Sequence, residues 1–145
     1  MTPDVNILVA ASREDHPHHA PALAWLEQAI ADSETGTPLA LLPMVAAGFL
    51  RLVTHPRVFM MPTPLQDAQA FLDAVLAAPG VSMVPLGGEW RHFIALCTRH
   101  AVTGNAIPDA WIAAAAHYHH LHVATFDKGF RKLLKPSMVT VLKGA

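Results

Sequence analysis

The apolar and polar positions of the chain fall into segments of helical period separated by short apolar runs. Residues 2–11 open with an apolar, partly β-branched run that reads as a first strand. With only three residues ahead of Asp4 that strand is short, and Asp4 follows it. Over residues 18–33, Leu23, Leu26 and Ile30 recur at helical spacing, and Glu34-Thr35-Gly36-Thr37-Pro38 ends the helix. Leu39-Ala40-Leu41-Leu42 reads as a buried strand. Pro43 suits a helix start, and Val45, Phe49, Leu52 and Val53 form its apolar stripe. Residues 55–63, with Pro56 and Pro62, read as a loop. Thr63-Pro64-Leu65-Gln66 then has the form of a capping box with proline at the first helical position, and Ala68, Phe71, Leu72, Val75 and Leu76 carry the helix to Pro79-Gly80.

The second half continues the alternation. Residues 81–86 predict a strand, Gly87-Gly88 a turn, and residues 89–102 a helix presenting Trp90, Phe93, Ile94 and Cys97. Thr103-Gly104-Asn105 breaks the pattern. Pro108-Asp109 starts an alanine-rich helix ending near His120, residues 122–126 form a strand ending at Asp127, and residues 138–142 form the last. Strands separated by helices predict an α/β fold in three layers, a central, mainly parallel sheet flanked by helices. The crossovers of such a sheet are right-handed and its sites lie at the carboxyl ends of its strands.

Composition narrows the picture. At 145 residues the chain is expected to form one domain, spanning 1–145. Hydrophobic residues make up 52% and charged residues 14%, too few charges to cover a fully solvated surface, so a partner or a second copy is expected. Phe59-Met60-Met61-Pro62 and the helix carrying Phe71 are the apolar surfaces on which a homodimer is expected. No apolar run approaches the ~18 residues of a membrane span and the N-terminus lacks a secretory pattern, which predicts a cytoplasmic protein away from the membrane. The lone cysteine, Cys97, is expected to act as a small buried hydrophobe. The net charge of −1 leaves any nucleic-acid binding to a local patch. Lys128, Arg131, Lys132 and Lys135 are such a cluster, which reads equally well as a solvated helix face.

The chemistry rests on aspartates. Asp4 follows the first strand, Asp127 a late one, and Asp109 opens a helix whose start lies at the same sheet edge, so three carboxylates converge from distant parts of the chain. Singly each has an ordinary role in a turn or a helix cap. Together they are costly, since two unit charges about 4 Å apart repel by roughly 4 kcal/mol at an effective dielectric of 20. A divalent cation removes that repulsion, and carboxylate oxygens with water suit Mg²⁺ or Mn²⁺. The reaction class implied is metal-assisted phosphodiester hydrolysis.

These residues resemble a known family. Asp4-Val5-Asn6-Ile7-Leu8-Val9 is similar to the D-x-N-x-L opening of PIN domains. Gly104-Asn105 with Pro108-Asp109-Ala110 and Ala113-Ala114 is similar to their acidic helix, and Thr125-Phe126-Asp127-Lys128-Gly129-Phe130 to their T-x-D-x-x-F segment. The resemblance is to the VapC-type toxins and covers nearly the whole chain, residues 49–59 included. It implies a Mg²⁺- or Mn²⁺-dependent endoribonuclease, usually dimeric, acting on RNA and silenced by a cognate VapB-type antitoxin. Carried over by position, Asp4, Asp109 and Asp127 are the catalytic and metal residues, with Asn6, Asn105 and Thr125 supporting the site.

One departure stands out. PIN domains usually carry a glutamate on the helix after the second strand, and Pro43-Met44-Val45-Ala46-Ala47-Gly48-Phe49-Leu50-Arg51 contains no acid. The absent glutamate corresponds to Ala46 or Gly48. Glu14 or Asp15 could supply a replacement, although both also read as charges at a helix start. The alternative to an active nuclease is therefore a PIN-fold RNA-binding or interaction protein with weakened or lost catalysis. A response-regulator-like phosphoryl-transfer domain fits less well, for want of a lysine at the end of a late strand. His117, His119, His120 and His122 straddle a helix end, where their side chains diverge, and read better as dipole partners than as a zinc site.

Overall fold

The computed structural model describes residues 1–144. Its elements run β1 (Thr2–Pro3), α1 (Val5–Ser12), α2 (His19–Ser33), β2 (Leu39–Leu41), α3 (Pro43–Val53), α4 (Leu65–Leu76), β3 (Val81–Met83), α5 (Glu89–His100), α6 (Ile107–Tyr118), β4 (Val123–Thr125) and β5 (Val139–Val141). Short 3-10 turns occupy Gly104–Ala106, Lys128–Lys132 and Pro136–Met138. Every strand pair is parallel: β1 pairs with β4, β4 with β5, and β2 with β3. The Ala40 amide, donating to the Met1 carbonyl at 2.9 Å, joins the two pieces of sheet, with β1 between β2 and β4. The result is a mainly parallel, open sheet flanked by helices.

The first element corrects the sequence reading. The strand expected within 2–11 is two residues long, and residues 5–12 form a helix. Asp4 starts it, its carboxylate accepting the Val5 amide at 2.7 Å as an N-cap. The helix packs against both α2 and α3, and Ile7, Leu8, Val9, Ala10 and Ala11 are all buried. A helix covered on several sides carries no polar face to mark its period, so its sequence looks like a buried strand.

The other elements begin and end near their expected places, with shorter strands. The capping box at Thr63 does not form: α4 starts at Leu65 behind Pro64, without a side-chain cap. The Thr63 hydroxyl instead accepts the Arg13 guanidinium at 3.1 Å. Phe71 is also not a free apolar surface, because it stacks on the buried Phe49 at 5.3 Å between ring centres. Gly80 lies where α4 hands over to β3, and a Cβ there would fall on the Ser33 carbonyl, so only glycine lets these segments approach.

The main core runs from α1, α2 and α3 through the sheet to α6. Helix α6 is buried nearly all round: Ala113, Ala115 and Ala116 face this core, while Ala110 and Ala114 meet Phe93 of α5 in a smaller cluster that half-buried Cys97 joins. Alanines let α6 lie close on both sides, which fixes the position of Asp109 in its first turn.

Candidate active site

The carboxyl ends of β1 and β4 lie side by side, because Thr2 pairs with Val123 and Pro3 with Ala124. Asp4 and Asp127 each leave their strand at that edge. Thr125 ties the edge together: its hydroxyl donates to Asp4 at 2.7 Å and accepts the Asp127 amide at 2.9 Å and the Asn6 amide group at 3.3 Å. The Asn6 carbonyl oxygen accepts the Phe126 amide at 3.2 Å. Asp127 caps the following 3-10 turn by accepting the Gly129 amide at 2.7 Å. Buried Thr125 and half-buried Asn6 thus hold two acidic loops in register.

Asp109 faces this pair from the first turn of α6, and Asp4, Asp109 and Asp127 line one cleft of about 300 Å³. Burial pushes the Asp4 carboxyl above its usual range, and the charge of Asp127 adds to that, against the pull of the Thr125 and Val5 hydrogen bonds. Burial, then the charges of Asp4 and Asp127 and a hydrogen bond with Asp127, push the Asp109 carboxyl up to about 7. The three aspartates were legible in the sequence, and the fold brings them together in one cleft. Among the described residues no three His, Cys, Asp or Glu side chains form a ready-made metal cage. An all-oxygen, solvent-open set suits a hard cation that keeps much of its water.

Asn105 stands apart from this network, exposed in the 3-10 turn ahead of α6. It lines a neighbouring cleft that shares Asp109 and Asp127 with the first. Glu14 and Asp15 do not line the acidic cleft; both are exposed, and Asp15 is engaged by Arg13 at 2.7 and 3.0 Å. The Arg13 hydrogen bonds hold the Asp15 carboxyl below its usual range. The four histidines part company: His119 binds the buried Glu89 at 2.5 Å, His122 bonds Ser137 and Thr140, His117 lies beside His92, and His120 turns left-handed at φ 55°.

Helix α3 supplies another part of the cleft's lining. Met44, Gly48, Arg51 and Leu52 line the cleft, four, three and one residues apart, on one helix face; Ala46 does not, being buried in the core. Gly48 is therefore the position that addresses the acids, and a Cβ there would lie 3.0 Å from Val5 Cγ2. Two lining residues were not singled out from sequence. Arg51 is exposed, and it is the only cationic side chain in this cleft; Trp111 gives the cleft an aromatic wall.

The PIN domain family model matches residues 1–135. Ribonuclease VapC25 of Mycobacterium tuberculosis is 38% identical over 132 residues, 89% of each chain. VapC ribonuclease Mb2897 of Mycobacterium bovis is 41% identical over 130 residues, covering 89% of this chain and 86% of that one. Among solved structures, VapBC2 of Rickettsia felis bound to a promoter DNA fragment superposes with a TM-score of 0.67 over 95% of this chain and 94% of that one, at 17% identity.

Proposed function

The chain belongs to the PIN domain family, and from that premise we propose that it is the ribonuclease toxin of a toxin–antitoxin pair, hydrolysing RNA phosphodiester bonds at Asp4, Asp109 and Asp127. The observation that carries the reading is the convergence of three carboxylates in one cleft, with Asp109 pushed up to about 7 by burial and its neighbours. Relatives named as VapC ribonucleases over nearly the whole chain support it. PIN nucleases are in general metal-dependent, and Mg²⁺ or Mn²⁺ is the proposed ion. Bound at the aspartates, it would supply an activated water and offset charge on the scissile phosphate.

The chain's own residues have separate tasks. Thr125 and Asn6 fix the direction in which Asp4 and Asp127 present their oxygens. Arg51, lining the same cleft as the acids, suits a phosphate oxygen, and Trp111 beside Met44 and Leu52 offers a flat apolar face to a base. The proposed partners are a VapB-type antitoxin and a second copy of the chain, and the proposed setting is the cytoplasm. No helix of the described residues is long and apolar enough to cross a membrane.

A second reading has its own observation: α3 turns a glycine and an arginine, not a glutamate, toward the acids. On that reading the protein binds RNA without cutting it. One assay separates them. Purified protein on a broad RNA panel should cleave with Mn²⁺ and stop with EDTA or on Asp4→Asn, and Mn²⁺ at a hundredfold excess over Kd should stabilise the parent by about 2.7 kcal/mol. RNA retained intact on the parent, with Mn²⁺ present, favours the binding protein.

A further inference from the structure

Helix α6 carries a second feature at its far end. His92 and Arg99 of α5, His117 of α6 and Lys135, beyond the Lys128–Lys132 turn, converge on a pocket of about 160 Å³ with an otherwise apolar lining and no acidic residue. Four cationic or protonatable side chains from three parts of the chain meet there, in a protein whose net charge is −1. All four are exposed, and what sets them apart from scattered surface charges is that they line one pocket. Here His92 and Arg99 lie seven residues apart on one stripe of α5, facing His117. The ion pairs formed among the described residues, Arg13 with Asp15 and His119 with Glu89, do not involve Arg99 or Lys135.

The pocket adjoins the active site. Leu133 belongs both to it and to the neighbouring cleft, which is lined by His100, Asn105 and Lys132 and reaches Asp109 and Asp127. Along α6, His117 is eight residues beyond Asp109, about 12 Å at 1.5 Å per residue. A track of cations thus leads from the carboxylates, past His100 and Lys132, to Arg99 and Lys135.

We propose that this pocket is a subsite for a backbone phosphate of the RNA strand, a few nucleotides from the scissile bond, with the strand lying over His100 and Lys132 on its way there. The inference rests on RNA being the substrate. The pocket is too small to enclose a nucleotide and holds no carboxylate to accept from a base edge, so it reads charge and not sequence. Its continuity with the acidic cleft favours the substrate strand over an acidic protein segment. The subsite makes affinity depend on strand length while leaving the bond-breaking groups untouched.

The test is a binding titration in EDTA, comparing an RNA of about a dozen nucleotides with one of about four. The proteins are the parent, Arg99→Ala/Lys135→Ala, and Arg91→Ala as an exposed control on the same helix outside the pocket. The double variant should lose roughly tenfold in affinity for the long strand. The slope of log K against log salt should become shallower by about 0.7 for one lost phosphate contact. Affinity for the short strand should change less than about twofold, and all three melting temperatures should agree. Unchanged long-strand affinity and slope in the double variant overturn the subsite. So does an equal loss in Arg91→Ala, which would make the effect general surface charge. Loss of affinity for a polyglutamate peptide without loss for RNA would give the pocket to an acidic protein segment. If the parent cleaves RNA but the double variant binds the long strand as it does, the subsite alone fails; if the parent neither binds nor cleaves RNA, the ribonuclease reading fails first.

Discussion

The Asp109 carboxyl is pushed up to about 7, first by burial and then by the charges of Asp4 and Asp127. Unfolded, it would lose its proton near 3.8. Between the two values the native state binds more protons than the unfolded one, so the metal-free protein loses stability as pH rises from about 4 to about 7. Burial of Asp4 acts in the same direction. Solvent reaches half of Asp109, so screening holds its share to about 1–2 kcal/mol. Urea midpoints in EDTA should be lower at pH 8 than at pH 5, with the difference shrinking in Asp109→Asn; a flat parent profile contradicts this. The α3 wall gives a second prediction. Gly48→Glu places an acid in the cleft, at the expense of a small shift of Val5, and should raise Mn²⁺ affinity and cleavage. Ala46→Glu buries an unpaired charge in the core and should cost about 2–4 kcal/mol without helping either. Equal behaviour of the two variants would mean that α3 does not present this face to the site. The aspartates could be found in the sequence because each follows or opens an element at the carboxyl edge of the sheet. Arg51 and Trp111 could not, since a cation in a last helical turn and an aromatic in an alanine-rich helix have commoner explanations.

At the scale of elements, the sequence was least legible where burial removed contrast. Helix α1 has no polar face, and the signal that distinguishes it is Asp4, whose carboxylate is both its N-cap and a member of the acidic cleft. The box at Thr63 had the right letters, but Arg13 takes the hydroxyl, a contact fifty residues away that local pattern cannot reveal. The periodic helices α2, α3 and α5 were legible because one side of each faces the core. Helix α5 ends on Ala101 in the left-handed region at φ 49°, with the Val102 amide reaching back to the Cys97 carbonyl at 2.9 Å. Glycine meets that geometry without the Cβ conflict, so Ala101→Gly should stabilise by about 1 kcal/mol. Thermal melting checks it, and a loss of stability would mean that the helix ends differently.

For the whole molecule, the low charged fraction finds its counterpart in the segment after α3. Met60 is fully exposed, Met61 is 81% exposed, and Val58 and Leu65 are open beside them, while Phe59 is covered by the Arg13 guanidinium 3.8 Å from its ring centre. Large apolar side chains gathered in one short segment are seldom left to water. We expect a homodimer through residues 58–65, and Met60→Lys/Met61→Lys should shift sedimentation toward the monomer; a parent that is already monomeric at tens of micromolar removes the idea. The architecture of the sheet was legible from the alternation of elements, whereas this surface was only half so, because Phe71 proved to be packed on Phe49.

The pairing of Thr2 with Val123 also sets a schedule. Asp4 is made more than a hundred residues ahead of its partners Thr125 and Asp127, so no nascent chain short of residue 127 can hold the acids together. At about 5–20 residues per second, roughly 6–25 s separate the synthesis of Asp4 from that of Asp127. Any fragment that ends before β4, through a stop codon or a stalled ribosome, leaves one edge of β1 unpaired and cannot gather the three acids.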